Sequence, residues 1–216
     1  METILSLIKK EMTIEWRQRY ALNGILLYLI SSVFVVYLSV RILAAPAWNA
    51  VFWIIILFTS INAVAKSFIA ETRGCNMYMH NLAKPEQIIL AKIIYHALLN
   101  IFLSLLCLFV YSILMGNPIL DMQQYILSAI LGSTGFAITF SMLSAIASKA
   151  GNSHLLMPVL SFPVIVPLLL VLIKASKKAM DGLDPSLIYK DLGILLLLNL
   201  IVLLLAYILF PFLWKE

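Results

Sequence analysis

The sequence predicts an all-α membrane protein in which six transmembrane helices follow one amphipathic interfacial helix. Three observations lead there. First, 63% of the 216 residues are hydrophobic and only 12% are charged, whereas a soluble domain carries about a quarter. A soluble chain of this length cannot bury so much apolar surface, so lipid must be the solvent for much of it. Second, six runs contain no Asp, Glu, Lys or Arg: residues 22–40, 47–65, 93–115, 122–147, 155–173 and 192–213. Each is close to the roughly 20 residues that cross the hydrocarbon as a helix. Third, nothing in lipid satisfies an open backbone, so runs of this kind must be helical. Residues 1–216 read as a single transmembrane domain.

Residues 1–20 come first. Leu5, Ile8, Met12 and Trp16 recur at three- and four-residue spacing, with Lys9, Lys10, Glu11, Arg17 and Gln18 on other faces. That pattern predicts a helix lying in the interface, with Trp16 and Tyr20 at headgroup level. A stretch opening on Glu2 and lacking a small-residue cleavage site does not read as a cleavable signal peptide.

An even number of spans puts both ends on one side. With the N-terminus in the cytoplasm, Lys9, Lys10, Arg17, Arg19, Lys66, Arg73, Lys84, Lys92, Lys149 and Lys215 lie inside. Arg41, Lys174, Lys177, Lys178 and Lys190 lie outside. This asymmetry favours cytoplasmic termini. The fifth connection, residues 174–191, runs against it with four lysines. The net charge of +5 thus belongs to topology and anionic headgroups, and is no sign of nucleic-acid binding.

Three spans have unusual chemistry. The second holds Thr59, Ser60 and Asn62, which suit protein better than lipid. The fourth pairs Ser128 with Gly132 and Gly135 with Thr139, small residues four apart that let helices approach closely, a second copy included. The fifth contains Pro158, Pro163 and Pro167, which remove backbone donors and predict a bend.

The longest polar interval, Lys66 to Lys92, separates the second span from the third. Pro85 suits the first turn of a helix and Glu86 suits its positive end, so a helix is expected from Pro85 into the third span. Residues 71–83 are left as a short surface element. Within it Met77, Tyr78, Met79 and Leu82 form an apolar core flanked by charge, the composition of a docking face.

Several chemistries have no residues to carry them. No phosphate-binding loop of the G-x-x-x-x-G-K-[ST] kind occurs, and no H-E-x-x-H. No span holds paired carboxylates or a buried arginine, so a proton relay is not evident. His80, His96 and His154 read as surface or interface residues rather than haem or metal ligands. Cys75 and Cys107 have no C-x-x-C partner.

Gly74, Leu82, Pro85, Leu90, Ala91 and Lys92 make the pattern G-(x)7-L-(x)2-P-(x)4-L-A-K. It resembles the loop between the second and third spans of ABC-2-type permeases. The run LGSTGFAITFSMLSAIASKAGNSHLLMPVLSFPVIVPLLL, with Lys149, Gly151, Phe162, Pro163, Pro167, Leu168 and Leu169, is more specific. It resembles the B subunit of the haem exporter of cytochrome c maturation, CcmB. Two departures stand out: Glu71 is alone where the family has more acids, and Phe162 precedes Pro163 where the family has leucine.

The resemblance implies a permease domain in the bacterial inner membrane with no ATPase of its own. Two copies would join two cytosolic ATP-binding subunits, a haem-handling C subunit and a small D subunit. Haem would be substrate rather than bound cofactor, and ATP would sit on the partner. Its turnover would drive haem transfer or free the haem-loaded chaperone. Glu71, Arg73, Gly74, Met77, Tyr78, Leu82 and Pro85 would then contact the ATPase. An ABC-2 exporter of a drug or polysaccharide and a non-transporting scaffold are the alternatives. An intramembrane enzyme has no residues to support it.

Overall fold

A computed structural model describes residues 2–17, 19–40, 43–71, 84–149 and 153–215. Among them are seven helices and no strand. The first, α1 (Glu2–Arg17), precedes α2 (Arg19–Ser39) and α3 (Ala45–Glu71). Then come α4 (Pro85–Met115), α5 (Met122–Lys149), α6 (Ser153–Met180) and α7 (Pro185–Lys215). The last six are long and apolar enough to cross a membrane. They pass alternately up and down, so α1, the C-terminal end of α3 and the start of α4 share one end of the bundle.

The hub is α5, which packs against α3, α4, α6 and α7 and is the most buried of the six. Its composition explains the position. Gly132 leaves room for Leu172 and Trp53: an added Cβ would meet Leu172 Cδ1 at 2.7 Å and Trp53 Cη2 at 3.0 Å. At Gly135 the space is filled by Asn199 of α7 and by Leu168 Cδ1, 2.7 Å away. At Gly132 and Gly135 the small residues thus serve packing inside the chain. Asn199 secures the same seam, donating through Nδ2 to the Leu131 carbonyl at 2.9 Å.

Helix boundaries extend beyond the charge-free runs, and two of the extensions bear on the site. α4 opens at Pro85, behind extended Lys84 (φ −67, ψ 144), and continues unbroken through Lys92. The fifth connection shrinks from residues 174–191 to 181–184, because α6 carries Lys174, Lys177 and Lys178 in its last turns. Lysines suit the negative end of a helix, and the stop is set by the backbone. Gly182 has φ 63, Leu183 N–H reaches Lys178 O at 3.1 Å and Gly182 N–H reaches Ala179 O at 3.4 Å. That is a Schellman close.

α1 also orients differently from expectation. Leu5 and Met12 do point outward, 69% and 51% exposed, but Glu11 turns inward and is 9% exposed. Leu7 packs on a small core of Ile88, Ile89, Ile93, Ile138, Ala145, Ala206 and Phe210. The helix thus docks on α4 through an acidic face and leaves Leu5 and Met12 exposed.

Candidate functional site

Lys92, His96, Asn100 and Ser104 follow one another at intervals of four along α4, and none is more than 1% exposed. Residues so spaced share one helix face. They form a polar stripe about 18 Å long.

The stripe begins at the joint with α1. Lys92 Nζ lies 3.6 Å from Glu11 Oε1, and Lys10 Nζ lies 3.8 Å from the same oxygen. One turn along α1, Glu15 accepts a hydrogen bond from the Tyr95 hydroxyl. Burial raises the Glu15 pKa above its ordinary 4.5, while the Tyr95 hydrogen bond and the Lys92 charge pull the other way. Lys92 was expected in the hydrated interval. Its place inside the protein follows from Glu11, since a buried ammonium needs a charged partner.

His96 comes next, with Nδ1 2.8 Å from Ser141 Oγ of α5. It was read as a surface or interface residue and is fully buried. Further along, the Ser104 hydroxyl donates to Ile101 O at 3.0 Å. Asn100 stands between them, and neither its Oδ1 nor its Nδ2 meets a hydrogen-bond partner among the described residues.

A second buried asparagine offers a contrast. Asn49 Nδ2 donates to Ser176 Oγ at 2.9 Å and its Oδ1 accepts from Tyr125 Oη at 3.0 Å. Trp53 Nε1 donates to the same serine oxygen at 2.9 Å. Trp48 stacks on Phe52 at 5.9 Å and lies 4.6 Å from the Tyr111 ring. This group is satisfied at both ends and ties α3, α5 and α6 together, which is a structural role. Near it Asp191 takes Lys178 at 2.7 Å and Lys174 at 3.7 Å, joining α7 to α6.

The residues singled out by sequence fall in three places. Pro85 is the first residue of α4 and Glu71 the last of α3. Arg73, Gly74, Met77, Tyr78 and Leu82 lie outside the described residues. Ser128, Gly132, Gly135 and Thr139 are buried in α5. α6 stays helical through Pro158, Pro163 and Pro167, with Pro163 and Pro167 on its exposed side.

Sequence reasoning missed Glu11, Lys92, His96 and Asn100. The signal is four polar residues at a strict interval of four, the first of them just outside the charge-free run that starts at Ile93. Among the described residues, no three His, Cys, Asp or Glu side chains gather as a metal site requires.

One protein family, described as CcmB protein, matches residues 2–212. The chain belongs to the CcmB family. No protein of curated function matches it. Membership makes this CcmB chain a permease component of the haem-export system of cytochrome c maturation, a transporter subunit and not a catalytic enzyme. With six membrane-crossing helices it is a multi-pass membrane protein.

Proposed function

We propose that this single permease domain is driven by a separate cytosolic ATP-binding subunit docking on residues 66–92. Both termini then face the cytoplasm of a bacterial inner membrane. Two copies of the chain work with two ATP-binding subunits, the haem-handling C subunit and the small D subunit. ATP turnover is coupled to haem transfer or to release of the haem-loaded chaperone, and haem is cargo.

The observation that carries this reading is the joint at the base of α4. α3 runs as a helix to Glu71 and α4 starts afresh at Pro85, so two rigid rods enter and leave the interval 72–83. Glu11 ties α1 to Lys92 two turns into α4. A partner pressing on the interval would therefore move α4 and α1 together. Nucleotide can act only through contacts that differ between two states of the membrane part, and such a joint transmits that difference. Glu71, Arg73, Gly74, Met77, Tyr78, Leu82 and Pro85 are the contact residues in this reading.

The test is Tyr78→Ala combined with Leu82→Asp. The variant should insert and accumulate like wild type, lose the ATP-binding subunit in a pull-down, and abolish cytochrome c maturation. Retention of both the subunit and maturation by a normally expressed variant would refute the docking role.

A further inference from the structure

Ser60 of α3, Asn100 of α4 and Thr139 of α5 are each 1% exposed. Ser60 Oγ, Thr139 Oγ1 and both polar atoms of the Asn100 side chain have no hydrogen-bond partner among the described residues. This is unusual for hydroxyls on membrane helices, which normally bond back to a carbonyl of the preceding turn. Their neighbours do so: Thr59 reaches Ile55 O at 2.7 Å, and Ser133 reaches Ala129 O at 2.7 Å.

Helix register places the three at one depth. Tyr125 meets Asn49, and Gly132 lies under the Trp53 ring. Those contacts bring Ser60 level with about residues 136–139 of α5. In antiparallel α4, His96 against Ser141 sets Asn100 level with about residue 137. Asn100 is also the middle residue of the 31-residue α4. Three mutually packed helices thus put an amide and two hydroxyls in one uncharged layer near the mid-plane of the bundle.

Buried groups of this kind carry their full desolvation cost unless something bonds them. An asparagine side chain alone offers two donor hydrogens and two acceptor sites. The ligand must therefore both donate and accept, and an uncharged layer calls for an uncharged one. Water has that chemistry, and buried water typically makes about three such bonds.

We propose that this layer is a water-binding site at the middle of the permease, filled from the α1 end along Lys92 and His96 when α4 parts from α5. Ala137 and Ala145 stand one turn either side of Ser141, while Ile138 of α5 shares an apolar cluster with Ile88, Ile89 and Ile93 of α4, so the parting has to loosen that cluster. The inference rests on the permease reading above and adds to it the polar layer that a moving α4 would expose.

The test uses the complete chain with its partner subunits in native membranes, with Cys75→Ala and Cys107→Ala as background. Ser60→Cys and Thr139→Cys probe the layer. Leu98→Cys and Phe102→Cys, on the face of α4 that is 60% and 56% exposed, report the lipid side. A small charged thiosulfonate reacts with thiolate, which forms in water and not in hydrocarbon. Modification at 60 and 139 should run at least about tenfold faster than at 98 and 102. Equal rates at all four positions would overturn the proposal.

Asn100→Leu gives an independent reading. A dry, merely structural asparagine would leave cytochrome c maturation intact on this change, and that result also overturns the proposal. The expected result is loss of maturation with unchanged or raised melting temperature and normal pull-down of the ATP-binding subunit. Failure of the docking hypothesis alone would leave the labelling pattern at 60 and 139 in place, so the two are separable.

Discussion

Lys92→Met tests whether the α1 joint is held by charge. Lys92 Nζ and Glu11 Oε1 are 3.6 Å apart, with side chains 2% and 11% exposed. With an effective dielectric of about 20, their attraction is about 4–5 kcal/mol, much of it offset by desolvation. Removing one partner is worse than removing both, because a buried charge is left behind. Breaking a buried pair typically costs about 3–5 kcal/mol. Here Lys10 remains 3.8 Å from Glu11, itself 30% exposed, which brings the expected loss to about 2–4 kcal/mol. For a chain of this size that is a fall of about 4–16 °C in melting temperature. Glu11→Leu with Lys92→Met replaces the whole pair by apolar groups and should recover most of the loss. The measurement is thermal unfolding of the purified protein in one detergent for wild type, both single variants and the double. A Lys92→Met protein that melts like wild type, or a double variant showing the sum of the single losses, would refute the buried pair.

Other expected outcomes are simpler to read. Gly135→Ala presses on Asn199 and on Leu168 Cδ1 at 2.7 Å, so it should destabilise by about 1–3 kcal/mol, seen as a lower melting temperature. Gly132→Ala should cost less, since its nearest contacts at 2.7 Å are the terminal methyl groups of Leu172. Glu15 has a raised pKa from burial, so its charged form is the costly one. Stability from this group is greatest below its ordinary 4.5 and falls as pH rises through the raised folded value. Glu15→Gln, which cannot ionise, should flatten that part of a melting-temperature profile and melt no lower than wild type near neutral pH. For topology, Lys9→Cys should resist a membrane-impermeant thiol reagent in intact cells, and Asp184→Cys should react. Labelling at position 9 would reverse the orientation.

The six spans were legible because lipid imposes a length and an apolar composition that no other part of the chain shares. Pro85 was legible as a helix start because its ring and missing N–H have a local meaning. The buried stripe was not, and the reason is specific. A charge-free run marks where hydrocarbon lies, whereas a helix ends where its backbone is capped. The charge-free run of the third span starts at Ile93 although the helix is expected from Pro85, so Lys92 reads as part of the polar interval. In the same way the charge-free run of the fifth span stops at Ile173, short of the C-terminal turns of α6. Glu11 was assigned to water because nothing in residues 1–20 names its partner, which lies 81 positions away in sequence at Lys92. The level of Ser60, Asn100 and Thr139 depends on how three helices slide against one another, and periodicity within one helix is silent on that.

Continuity of α4 links the interval 72–83 to the buried polar stripe. The helix spans 31 residues from Pro85 to Met115, so it is a rod about 46 Å long. His96 lies 19 residues before Met115, about 28 Å along the rod. A tilt of about 3° around the far end, driven at the base and directed away from α5, would move His96 by about 1.5 Å. That stretches the 2.8 Å contact with Ser141 past the roughly 3.5 Å at which a hydrogen bond is lost. A small push at the α1 end is thus enough to break the His96–Ser141 contact, one turn from Asn100. Lys92 would carry Glu11 and α1 along with it, which keeps the buried charges paired while the stripe becomes accessible.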